Sequence, residues 1–78
     1  MITVEIDTDD TGNRKEIVRV YFDKIGLKDL HARLGLIEAG KADHVHLMSE
    51  SWGLGDLSED KVNDRSLLVH HLELNLMD

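Results

Sequence analysis

At 78 residues, 41% of them apolar, the chain has room for one domain around one modest core, and it has no cysteine for disulfides, thiol chemistry or cysteine-bound metal. Sixteen Asp plus Glu against nine Lys plus Arg leave a net charge of −7, which repels nucleic acid and anionic lipid and steers the chain towards basic surfaces. No apolar run approaches the roughly 18–20 residues that span a bilayer, and the acidic start is unlike a signal peptide, so a cytoplasmic domain that binds neither nucleic acid nor membrane is expected.

Ile2, Val4 and Ile6 alternate with polar residues, the period of a half-buried strand. A turn over Asp10-Thr11-Gly12-Asn13 leads to a second strand, Ile17 to Phe22, with Val18, Val20 and Phe22 on one face. Together they predict an antiparallel hairpin whose apolar face lies on the core. Asp23 is suited to cap a helix over residues 24–39, where Leu27, Leu30, Leu34 and Ile37 form a stripe and Gly40 supplies a stop. Gly35 costs that helix about 1 kcal/mol relative to alanine. Leu36 points away from the stripe beside Ala32 and Ala39, either as a lone exposed leucine or as a contact face for a homodimer.

Asp43 to Met48 reads as a third strand. The polar stretch Ser49–Arg65 carries isolated apolar residues, and loops of that length in a small domain are functional or hold minor structure. Ser66 to Met77 reads as a last, long strand, with Leu68, Leu72, Leu74 and Leu76 in phase and either both faces covered or a bulge near His70-His71. The order β-β-α-β-β predicts a small α+β fold, a largely antiparallel sheet with one helix packed on one face.

Chemistry is thinly marked. His44 and His46 share one face of a strand, and strand pairing with His70 or His71 would make a zinc site; the alternative is a set of hydrogen-bonded strand histidines. The acid pairs Asp9-Asp10 and Glu59-Asp60 lie in polar loops, where both members ionise rather than divide acid and base roles. No serine sits in a strand-to-helix elbow, and Gly53-Leu54-Gly55 is too short and too acidic in context to cradle phosphate. Trp52, the single tryptophan, either roofs the core beneath the long loop or anchors a partner.

The run Tyr21-Phe22-Asp23-Lys24-Ile25-Gly26-Leu27, then Asp43-His44-Val45-His46-Leu47-Met48-Ser49-Glu50-Ser51-Trp52-Gly53 and Asp56-Leu57-Ser58-Glu59, resembles the immunity protein 32 family of bacterial polymorphic toxin systems. The family pattern has a second glycine directly after Gly53, where this chain has Leu54 and then Gly55. The resemblance, which runs from about Val18 to the C-terminus, implies a cytoplasmic antidote without catalysis or cofactor that neutralises a cognate toxin protein. Its expected contact surface combines Glu50, Trp52, Asp56, Glu59 and Asp60 with His44 and His46, the acids covering a basic cleft such as that of a nuclease. Two alternatives stand beside it: a histidine metal-binding module, and a small dimerising regulatory subunit.

Overall fold

A computed structural model describes residues 1–77. Alternating β-branched residues form β1 (Ile2–Thr8), and the Asp9–Asn13 turn returns the chain into β2 (Arg14–Phe22). The Asp9 carboxylate holds that turn by accepting from the amides of Thr11 and Asn13 at 2.9 Å. The strands pair antiparallel, Ile2 with Phe22, Val4 with Val20 and Ile6 with Val18, so these six side chains share one face.

Helix α1 (Lys24–Glu38) begins where Asp23 accepts from the Gly26 amide at 2.8 Å, and ends before Gly40 at φ +75°. Its inward stripe is Gly26, Leu30, Arg33 and Ile37 rather than the predicted Leu27/Leu30/Leu34/Ile37; Leu27 and Leu34 are half exposed. The rotation has a local cause at the start of the helix. Gly26 is pressed so closely on the beginning of β1 that a Cβ there would fall 2.2 Å from the Met1 carbonyl oxygen.

Strand β3 (His44–Met48) follows, then one turn of 3-10 helix over Glu50–Trp52. Gly53 and Gly55, both at positive φ, turn the chain back so that Leu57 bridges to Ser49. Leu57, not Trp52, closes the core under the long loop: it is buried with Ile2, Val4, Val45 and Leu47, and Leu30, Ile37, Val69, Leu72 and Leu74 pack against them.

The predicted last strand is divided. Leu67–Val69 forms β4, which pairs antiparallel with β1, and His71–Asn75 forms β5, which pairs antiparallel with β3. The break at His70 lets one apolar segment serve two sheets, β2-β1-β4 and β3-β5. The α+β class therefore holds, while the expected β-β-α-β-β order gains a fifth strand and the single sheet is in fact two.

β1 is buried on both faces. Ile2 and Val4 point to the core; Thr3 and Glu5 are buried on the other face, where Glu5 lies under the turn that precedes β4. The Glu5 carboxylate accepts from the Val62 amide at 2.6 Å, the Asn63 amide at 3.2 Å and the Ser66 hydroxyl. Burial pushes this carboxyl up, but the Ser66 hydroxyl, the two amides and the Lys61 charge outweigh it and leave it below its ordinary value.

The apolar face of β2 does not lie on the core as the hairpin pattern predicted. Val18 is 60% exposed, Val20 39% and Phe22 47%: β2 is an edge strand whose apolar face the helix leaves largely uncovered. The chain exposes 5777 Å², whereas a folded monomer of 8.9 kDa exposes about 4,800 Å². Its radius of gyration, 13.5 Å, likewise exceeds the roughly 11.5 Å of a compact domain of this length.

Candidate functional site

The two-stranded ribbon β3-β5 sorts its residues by face. Val45 opposite Leu74 and Leu47 opposite Leu72 supply the core side; His44 opposite Asn75, His46 opposite Glu73 and Met48 opposite His71 form the other. His44 and His46 thus do share a face, with ring centroids 4.9 Å apart. His46 Nδ1 lies 2.8 Å from His71 Nε2, and His46 Nε2 lies 3.6 Å from Glu73 Oε1. His44 Nδ1 is 2.6 Å from Asp43 Oδ1, and this hydrogen bond holds the Asp43 carboxyl below its ordinary value.

His70, one residue from His71, belongs to a different cluster. Its ring stacks on Trp52 at a centroid distance of 5.7 Å and an interplanar angle of 7°. Its Nδ1 lies 2.7 Å from Ser49 Oγ and 3.5 Å from Glu59 Oε1. Glu59 also accepts from the Ser51 hydroxyl, which is the main reason its carboxyl sits below the usual range. Serine, histidine and carboxylate are adjacent here, but both the serine and the acid approach the same ring nitrogen. A nucleophilic relay needs them on opposite nitrogens. Ser49 is also fully buried, so the cluster acts as a clamp that fixes the loop.

The seven residues expected at a contact surface therefore fall into three groups. Glu50, Trp52, Glu59 and Asp60 lie on one exposed loop, with Trp52 59% exposed and held flat by His70. His44 and His46 lie on the adjoining ribbon. Asp56 turns inward: its carboxylate accepts from Arg33 Nη2 at 2.5 Å and from the Met48 amide at 3.3 Å. Arg33 Nη1 donates to the His46 carbonyl at 3.0 Å, so this arginine ties helix, ribbon and loop together. Sequence reasoning overlooked Arg33, Glu5 and Glu73. Arg33 could have been found from its 3- and 4-residue spacing to Leu30 and Ile37, whereas the other two depend on strand register.

Leu36 is 41% exposed, with Ala32 and Ala39 also exposed on the helix. No described helix is long and apolar enough to cross a membrane. No protein-family model, curated protein or solved structure matches the chain.

Proposed function

We propose that the chain is a protein-binding domain that works as an immunity protein, covering a basic surface of a cognate toxin. The observation that carries this reading is Trp52, a large side chain that stays exposed yet is held in place by stacking on His70. An exposed aromatic fixed before binding loses little conformational entropy on contact and makes an efficient anchor. Glu50 and Asp60 on the same loop, with the net charge of −7, favour a basic partner and speed its approach. The excess of about 1,000 Å² over a compact monomer is comparable to the roughly 800 Å² that each partner contributes to a stable interface. The motif resemblance supplies the class of partner.

Co-expression in bacteria with the product of the neighbouring gene tests the reading by growth. The wild-type chain is expected to restore growth, and Trp52→Ala, which removes no core contact, to lose protection while remaining folded by circular dichroism. A folded Trp52→Ala chain that still protects fully would remove the tryptophan from the interface. A neighbour that is harmless alone, or equally lethal beside the wild-type chain, would remove the immunity reading for that pair.

A second reading, self-association, rests on β2. This nine-residue edge strand offers unpaired backbone groups beside Val18, Val20 and Phe22. Antiparallel pairing about a two-fold axis at Val20 would set Val18 against Phe22 of a second copy and Arg19 against its Tyr21. Light scattering would then give twice the 8.9 kDa chain mass, returning to one chain in Val20→Lys. A wild-type mass of one chain at high micromolar concentration rejects this reading and leaves the β2 face to another protein.

A further inference from the structure

We infer that the outer face of the β3-β5 ribbon is a site for one borderline divalent transition-metal ion, zinc in the first instance, with His44, His46 and Glu73 as ligands. One donor atom from each of the three lies within 4.8 Å of the others. A tetrahedral zinc ion with bonds of 2.0–2.2 Å spaces its donors about 3.4 Å apart. The pair His46 Nε2 and Glu73 Oε1, at 3.6 Å, already has that separation. The remaining gap is a small swing for side chains that are 45%, 38% and 44% exposed for His44, His46 and Glu73.

The surroundings prepare both imidazoles. Each ring has its Nδ1 occupied, His44 by the Asp43 carboxylate at 2.6 Å and His46 by His71 at 2.8 Å. A metal-binding histidine commonly donates its second nitrogen to a carboxylate or another acceptor, which leaves the far nitrogen unprotonated for the ion. Asp43 therefore selects the Nε2 lone pair of His44, and His71 can do the same for His46 by accepting from its Nδ1 in the tautomer that the ion would favour. The antiparallel register supports the set from behind: Val45, Leu47, Leu72 and Leu74 pack on the core side and fix the two strand backbones from which the out-facing ligands project.

Two imidazoles select zinc, nickel or copper over magnesium and calcium, which prefer oxygen ligands. Two histidines and one glutamate leave a fourth position open for water or for a side chain of a bound protein. His70 takes no part, being turned to Ser49 and Trp52.

The test is titration of tag-free, chelator-stripped protein with zinc chloride by calorimetry at pH 7.5. One zinc per chain is expected, with affinity falling at least tenfold in His46→Gln and in Glu73→Gln. Asp43→Asn is expected to weaken binding by roughly tenfold through the second nitrogen of His44, and His70→Gln to leave it unchanged. Binding is expected to weaken at pH 5.5, as protons compete for the imidazoles. Because the ion binds the folded ribbon, zinc at tenfold its Kd raises the melting temperature by roughly 6–11 °C. Absence of stoichiometric uptake at zinc concentrations up to about 100 μM, which corresponds to a binding free energy of only about −5.5 kcal/mol, overturns the proposal. So does uptake that survives His46→Gln and Glu73→Gln, or uptake lost instead in His70→Gln.

Discussion

Replacing Glu5 by glutamine tests how the turn preceding β4 is held against the sheet. The carboxylate is 1% exposed and accepts from two backbone amides and the Ser66 hydroxyl. A glutamine of the same shape offers one acceptor oxygen and turns an NH2 group towards an amide that needs an acceptor. Hydrogen bonds to a charged group contribute about 1.5–3 kcal/mol, and losing one while stranding its donor costs a similar amount, so a loss of about 2–3 kcal/mol is expected. A domain of this size holds roughly 4–12 kcal/mol in total, so the variant loses a substantial share. In a thermal melt this is a fall of roughly 8–24 °C at pH 7.

The pH dependence supplies a second reading of the same contact. The folded-state value of Glu5 lies below its ordinary value of 4.5, so its contribution is complete above pH 4.5 and is lost as pH falls through the folded value. The gap in stability between wild type and Glu5→Gln should therefore narrow on acidification below pH 4.5. A loss smaller than about 0.5 kcal/mol at pH 7, within the range of ordinary surface substitutions, would refute the assigned role of Glu5. A gap independent of pH down to pH 2 would refute the charge-based part of the argument.

Other substitutions probe neighbouring features. The Thr3 hydroxyl is buried with no hydrogen-bond partner among the described residues, so Thr3→Val is expected to stabilise by about 1 kcal/mol in chemical denaturation. The two helix glycines should respond oppositely. Gly35→Ala, with nothing within 4 Å of the new Cβ, is expected to gain up to about 1 kcal/mol. Gly26→Ala drives its Cβ against the Met1 backbone and should lose about 1–3 kcal/mol despite the better helix former. Equal and positive effects at both glycines in thermal melts would contradict the close contact between α1 and β1.

Local chemistry made much of this architecture legible. The alternation of Ile2, Val4 and Ile6 and of Val18, Val20 and Phe22 around a Gly-Asn turn specified the hairpin, since strand period and turn geometry are properties of neighbouring residues. Asp23 and Gly40 bounded the helix for the same reason: capping satisfies backbone groups one turn away. His44 and His46 were placed on one face by strand period alone.

Contacts between distant segments were decided only by the tertiary structure. The segment from Ser66 onward has enough apolar residues for one strand, but β1 and β3 each present an edge, and dividing it at His70 pairs both. That division sends His70 to Trp52 and His71 to His46, a separation invisible while the two histidines are simply adjacent. The helix is rotated by a contact between Gly26 and Met1, which brings Arg33 inward and leaves Leu27 and Leu34 half exposed. Hydrophobic pattern reports which side chains favour burial, whereas the surface actually available to bury them depends on where every other element lies. In this chain there is too little of it, and the face of β2 remains uncovered.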